Sequence, residues 1–505
     1  MRVHRYKLFL LFFIQAFYSF SQTNQDSILE KTKENEDYIF NTQNIINQNP
    51  ANKLYARKHN LTQLKTSLVN EKNDYYLKQK GKDLKRWSVS VFTDQNLNNT
   101  TQVWGKANYE QGTRKSVQWN ETSDYEKIYP YVVADSVGGD IQFEHYSFSG
   151  GYAKKISSFT LGLEGHYHAK MEYRRVDPRP KNISTDINFV LGLNKSIHEK
   201  WTIGVKGNIE KYTQKHHLSF HSNQGFPQVY TMTGLGNYNA LLSGKPREAY
   251  YEGWTYGAGI QAFENKKRDW YIDLGIKTFL ADKVMPEFTN LKSSEIKQNY
   301  LYTNIAKMYK ATNFDWGLFL NASKLSRKGI ESLFTNDISS NFTTLGKLER
   351  YKNEVNNIKI NGIFIFDNLR NKHSFSPQIL ISQEHETYSY PFSEIKLGSV
   401  NYGINYQWFH TLKNNSFFIL DTEISAKNLY EKKATFTSVR NEAILEMLMN
   451  NFQFQSANNI NASLAFSYHF KVPILDMMFV NIRANYVDFN PHHNFSFNSS
   501  IGITF

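Results

Sequence analysis

The sequence predicts an all-β protein, a transmembrane antiparallel β-barrel of 18 strands (range 14–18) with short periplasmic turns and long extracellular loops. Three observations carry this. Apolar side chains recur at every second position through many segments. An export signal precedes them. After residue 21 there is no unbroken apolar stretch long enough to be read as a spanning helix, and a closed barrel is the other way to satisfy backbone hydrogen bonds in lipid.

Composition narrows the class. The chain has 505 residues, of which 15% are aromatic and 40% hydrophobic, and it has no cysteine. Disulfide scaffolds, thiolate zinc sites, iron–sulfur clusters, cysteine catalysis and an N-terminal lipoprotein anchor are therefore excluded. The aromatic load excludes disorder. With 59 Lys+Arg against 46 Asp+Glu, the formal charge is +13. A basic chain can bind nucleic acid, but export and the barrel argue against that partner. The basic residues cluster in turns and rims, where they meet anionic lipid head groups.

The chain opens on an address. Arg2, His4, Arg5 and Lys7 make a positive region, and Leu8 to Phe20 a short apolar one. Ser19 and Ser21 suit cleavage before Gln22. Residues 1–21 are read as a signal peptide, 22–58 as a polar periplasmic lead-in or small plug segment, and 59–505 as the barrel.

The strands follow. Ile187, Phe189, Leu191 and Leu193 share one face of an alternating segment, as do Trp201, Ile203, Val205 and Ile209. Trp270, Ile272, Leu274 and Ile276 repeat the pattern, as do Phe314, Trp316, Leu318 and Leu320, and Tyr402, Ile404, Tyr406 and Trp408. The C-terminal third adds Ile460 to Phe470, Met478 to Tyr486, and Phe495, Phe497, Ile501, Ile503 and Phe505. Successive strand side chains point to opposite faces, so each segment is greasy on one side and polar on the other. Many run to the ~9–11 residues that span a bilayer at a tilt. Aromatics recur near their ends, as in the girdles of outer-membrane barrels.

Eight tight polar turns, from Asn96–Asn99 to Lys471–Pro473, join sixteen strands, and a first strand near Leu61–Asn70 and a last into Phe505 bring the count to 18. Long polar stretches at Glu110–Asp140, His217–Glu248, Ser326–Val355 and Lys427–Ala457 are read as outer loops.

Residues 101–182 are dense in Gly, Trp and Pro. They contain Trp104-Gly105-Lys106-Ala107, Trp119-Asn120-Glu121-Thr122, Tyr129-Pro130-Tyr131, Gly138-Gly139-Asp140, Gly150-Gly151-Tyr152-Ala153 and Asp177-Pro178-Arg179-Pro180-Lys181-Asn182. Together with Asn49-Pro50-Ala51 and the terminal Phe505, this resembles a domain-of-unknown-function family of Bacteroidota outer-membrane β-barrels. The resemblance implies fold and location, in the outer membrane of a Gram-negative bacterium. It brings no activity and no catalytic residues. Gly150-Gly151 reads as a bend, a bulge or a place where a loop packs against the wall. The Asp-Pro-Arg-Pro run reads as a stiff loop, with a constriction element as the alternative.

Candidate chemistry is thin. On Phe159–Tyr173 the lipid face is Phe159, Leu161, Leu163, Tyr167 and Met171. Glu164, His166, His168, Lys170, Glu172 and Arg174 then face the lumen. His166, His168 and Glu164 are weak metal candidates, against a polar wall of paired charges. Lumen or constriction candidates are Glu172, Arg174, Asp177, Arg179, Lys181, Lys206, Glu210, Asp421, Glu423 and Arg483. His216-His217 and His492-His493 suit loops. Ser467 and His469 share the lumen side, whereas a lipid hydrolase needs them on the outer rim with a third group. No cofactor is expected and the protein is not read as an enzyme. Its expected partners are outer-membrane lipid and lipopolysaccharide, the barrel-assembly machinery through Phe505, and envelope proteins. The expected role is envelope transport, as a channel or an accessory of nutrient uptake. The alternatives are a non-conducting barrel that anchors partners and, remotely, a lipid hydrolase.

Overall fold

The computed structural model describes residues 28–36, 48–197, 200–223, 225–245, 248–264, 269–311, 314–335, 342–368, 370–436, 439–472 and 476–505. The expected signal peptide lies outside them. The strands are β1 (Leu61–Asn73), β2 (Leu84–Asn98), β3 (Thr101–Val117), β5 (Gly139–Ile156), β6 (Phe159–Tyr173), β7 (Arg179–Ile197), β8 (Trp201–Ser219), β11 (Ala249–Glu264) and β12 (Trp270–Met285). They continue as β13 (Leu291–Lys310), β14 (Asp315–Phe334), β15 (Thr344–Asp367), β16 (Asn371–Tyr388), β17 (Ser393–Thr411), β18 (Phe417–Thr435), β19 (Asn459–Val472), β20 (Asp476–Asp488) and β21 (His493–Thr504). Together they form one antiparallel sheet of 18 strands. It closes where β1 pairs with β21, Gln63 opposite Thr504. Phe505 seals the seam, its N–H donating to Thr62 O at 2.8 Å. Three short strands, β4 (Val133–Ala134), β9 (Tyr230–Gly234) and β10 (Asn237–Tyr238), form a separate small sheet.

The pattern on β7 explains the closure. Ile183, Ile187, Phe189, Leu191 and Leu193 are exposed on the outer face, while Asn182, Ser184 and Asn194 are buried on the inner one. This inverts a water-soluble protein, and it suits a sheet wetted outside by hydrocarbon. Aromatic rims bound the belt. At the short-turn end Tyr309 stacks on Trp316 at 4.3 Å, and Lys307 Nζ lies 4.8 Å from the Trp270 ring. Nearer the long-loop end Trp87, Tyr109 and Tyr146 form a chain with centroid separations of 5.3 and 4.8 Å. Replacing Phe189 with Arg, at 55% exposure in mid-belt, is expected to cost about 2–4 kcal/mol in lipid vesicles by denaturant unfolding. Replacing its inward neighbour Asn188 with Arg is expected to cost much less.

The long outer stretches differ from expectation. β14 and β15 run through most of 326–355, the first to Phe334 and the second from Thr344. β3 extends to Val117 and β18 to Thr435. Above the bilayer both strand faces meet water, so alternation disappears from the sequence although pairing continues. The 436–458 connection carries a helix, Glu442–Gln455, capped by the Asn441 side chain, which accepts from Ile444 N at 3.2 Å. β5 runs unbroken through Gly150-Gly151, so this pair is not a bulge. The Trp104 ring lies across Gly151, where a Cβ would collide with it. His216-His217 belongs to β8 rather than to a loop: His216 is buried against Asn182 at 2.8 Å, and His217 pairs with Glu248.

Candidate functional site

The lumen is filled from both ends by the chain itself. From the long-loop end, residues 118–138 fold inward as a hairpin, with Glu121 N donating to Val133 O and Trp119 N to Asp135 O. β4 of this loop pairs with β9 of the 220–248 loop. Ile128, Val133, Ala134, Leu242 and Ile444 are fully buried in one core with Tyr131, Tyr251 and Met447. A hydrophobic core sits where a channel would carry water.

Polar contacts fasten this loop across the barrel. Arg174, just past β6, donates to both carboxylate oxygens of Glu121 at 3.0 Å. Tyr129 OH donates to Glu386 of β16 at 2.7 Å. Arg327 of β14 donates to the carbonyls of Glu126 and Tyr129 at 2.7 and 2.8 Å. β6 and β16 are eight steps apart in the ring of 18, so the loop crosses almost a full diameter.

At the Arg174 end, one guanidinium faces two buried carboxyl groups, Glu121 and Asp135. Burial first, and the Asp135 charge second, push the Glu121 carboxyl well above its ordinary range. A raised carboxyl binds more protons folded than unfolded, so its stabilising contribution is full below its ordinary pKa and falls as pH rises toward the folded value. Hydrogen-exchange protection of residues 119–135 is therefore expected to be lower at pH 8 than at pH 5. Glu121→Gln is expected to flatten that dependence.

The N-terminal segment enters from the short-turn end and braces on opposite walls. The helix Ile28–Glu36 places Leu29 against Phe409, Phe417 and Ile419 of β17 and β18. Its Asn35 accepts from Arg57 at 2.9 Å, and Arg57 pairs with Asp94 of β2 at 3.3 Å. Nine steps round the ring from β18, Asn49-Pro50-Ala51-Asn52 lies on β6, β7 and β8. Asn49 donates to Asn194 Oδ1 (3.1 Å) and Val205 O (3.3 Å), and accepts from Ala51 N. Asn52 accepts from Asn194 (2.7 Å) and donates to Gln261, which donates to Tyr271 OH. Gly162, Gly192 and Gly204 make the seat. A Cβ at Gly162 would strike Ala51 N, and one at Gly192 would strike Asn49 Oδ1. Here glycine is required by close approach, with no unusual backbone angle.

Against the inward loop lies a charged chamber of about 360 Å³. β2, β3, β5, β6 and β7 wall it, and Asp124 of the inward loop caps it. An adjoining cavity of about 420 Å³ shares Arg114, Asp124, Lys170, Glu172 and Asp186 with it. That cavity reaches the exposed Lys80–Glu126 pair at the long-loop end. Inside, Arg86 pairs with Glu110 at 3.3 Å and Lys170 with Glu172 at 2.8 Å. Lys127 bridges Asp186 and Glu210. A larger concavity lies among the outward-facing Val205, Ile260, Leu274, Ile276 and Leu301, and so faces lipid.

The sequence candidates divide accordingly. Glu172 lines the chamber, Glu210 holds the Lys127 of the inward loop, and Lys206 binds Asp273 at 3.1 Å. Arg174 is a loop anchor. Asp177 ties two rim loops, pairing with Arg179 at 2.7 Å and accepting from His221 N and Ser222 N. Asp421 accepts from Gln407 at 3.1 Å, and register places Arg483 two strands along the same row. Glu423 shares Asp421's inward parity. Lys181, expected in the lumen, lies outside it. It has the outward parity of Ile183 and Ile187 and is exposed outside the barrel. Arg179 has the same parity, at the rim. His166 turns to Glu164 at 3.4 Å, whereas His168 stacks on His145 at 5.6 Å. Among the described residues no group of three His, Asp or Glu is arranged to hold a metal ion. Ser467 Oγ lies 2.9 Å from His469 Nε2, but the imidazole is sandwiched by Phe417 and Phe479, and among the described residues its buried Nδ1 has no orienting partner.

No curated protein matches the chain. Among solved structures it is similar to BauA, the ferric preacinetobactin receptor of Acinetobacter baumannii, with 8% identity, 88% of this chain and 80% of that chain covered, and a TM-score of 0.41. It is similar to the copper transporter OprC, with 8% identity, 89% and 81% covered, and a TM-score of 0.41. It is also similar to the outer-membrane protein opdK of Pseudomonas aeruginosa, with 8% identity, 89% and 99% covered, and a TM-score of 0.35. Residues 50–505 match a family of unknown function (DUF6850), and the chain belongs to that family.

Proposed function

We propose that the protein is an outer-membrane barrel of a Gram-negative cell that serves envelope transport as a gated conduit, closed at rest. Its short turns face the periplasm and its long loops the outside. Lipid and lipopolysaccharide surround its belt, and the terminal strand ending in Phe505 is its signal to the assembly machinery. The observation that carries the reading is a polar, charge-lined chamber inside a lumen that two separate segments of the chain obstruct, the inward loop and the N-terminal segment. A wall with no traffic has little use for a water-accessible chamber of that kind. The same double closure favours a second reading, a non-conducting barrel that anchors envelope partners.

Planar-bilayer conductance separates them. The wild-type protein is expected to be silent. Two closures in series predict that loosening either one alone leaves it nearly silent. Gly192→Ala and Arg174→Met together are expected to give discrete channels. Steady wild-type current would contradict closure at rest, and silence of the double variant would favour the anchor.

A further inference from the structure

We propose that the chamber is a binding site for a short peptide of two or three residues with both termini free. The inference deepens the conduit reading by naming the solute class. It rests on how charge is distributed around the cavity.

On the β2–β3 wall two guanidiniums, Arg86 and Arg114, face one carboxylate, Glu110. Arg86 Nε is buried and, among the described residues, has no hydrogen-bond partner. Arg114 donates to the Lys80 carbonyl at 3.0 Å, and among the described residues it pairs with no carboxylate. This side is left with positive charge and unused N–H donors. A guanidinium fork is suited to a carboxylate. On the opposite side three lining carboxylates, Asp124, Glu172 and Asp186, face two ammonium groups, Lys170 and Lys127, the second of which is shared with Glu210 outside the lining. That side is left negative. The chamber is thus bipolar across its width, and a solute with one charge is attracted by one wall and repelled by the other.

The dimensions select the length. β3 and β6 are separated by two strand steps, about 10 Å at ~4.8 Å per step. An extended chain covers at most ~3.3–3.6 Å per residue, so two or three residues bring a carboxylate to the arginines and an ammonium to the acids. A cavity of about 360 Å³ lies at the small end of ligand sites. The adjoining cavity, open at the Lys80–Glu126 pair, supplies the entry.

The test is calorimetric titration of the full detergent-solubilised chain with trialanine, N-acetyl-trialanine and trialanine amide. Trialanine is expected to bind, and each cap to weaken binding by about tenfold or more, as expected for losing one partner of an enclosed charge pair. Arg114→Gln is expected to abolish discrimination against the amide while keeping discrimination against the acetylated peptide. Glu172→Gln is expected to reduce the second without changing the first. Equal binding of all three peptides, or none at millimolar concentration, overturns the inference. Trialanine binding with no current through the Gly192→Ala/Arg174→Met variant keeps it while overturning the conduit reading.

Discussion

Gly192→Ala is expected to expel the N-terminal segment from its seat while leaving the barrel intact. The added methyl group occupies the position of Asn49 Oδ1, so the Asn49 bonds to Asn194 and Val205 break. Asn194 then also loses its fixed geometry toward Asn52. Overpacking and unsatisfied buried amides each cost about 1–3 kcal/mol, comparable with what a small docked segment can supply. Gly192 lies within β7 opposite Gly162 of β6, where alanine fits the sheet at least as well as glycine. Hydrogen exchange of residues 48–58 should therefore rise by orders of magnitude with little change in the strands. Unchanged protection would mean that the seat is not what holds the segment.

The second large effect is expected at Arg174. Replacing it with Met removes the only guanidinium bonded to the buried Glu121 among the described residues and leaves two buried carboxyl groups facing each other. Breaking a buried pair from one side costs about 3–5 kcal/mol. The charge left behind is larger once the raised Glu121 carboxyl ionises, so the loss should grow with pH. Adding Glu121→Gln to Arg174→Met should restore part of the protection, because no unpaired charge then remains at that position. Loop protection at 119–135 that is insensitive to Arg174→Met at pH 8 would contradict this account of how the outer closure is fastened.

Much of the wall was legible in the sequence. Alternation from Ile187 to Leu193 and in the C-terminal strands gave the belt, and counting turns gave eighteen strands. Parity on β6 placed His166, His168 and Glu172 inside. The same parity, carried from Ile187 back along β7, puts Lys181 outside; treating 177–182 as one loop hid that. The extramembrane halves of β14 and β15 were illegible because a strand with water on both faces needs no alternation. The inward hairpin was illegible for another reason. Its partners Arg174, Arg327 and Glu386 are distant in sequence, and only closure of the ring brings them together. Two further signals lie in the sequence. Asn441 before the apolar series Ile444, Met447 and Leu448 is a capped amphipathic helix. Gly162, Gly192 and Gly204, all on the inner parity near the short turns, mark a close approach to three adjacent strands.

The chain's own segments occupy the lumen. The absence of native cysteine makes the most direct measurement clean: maleimide labelling of single-cysteine variants in proteoliposomes permeable to the reagent. Ala51→Cys and Ala134→Cys replace residues with 0% exposure, one in each closure, whereas Val176→Cys replaces a rim residue with 71% exposure. The account predicts fast reaction at 176 and almost none at 51 and 134 until Gly192→Ala or Arg174→Met is added. Comparable rates at all three positions in the otherwise unmodified protein would mean an open, water-filled barrel.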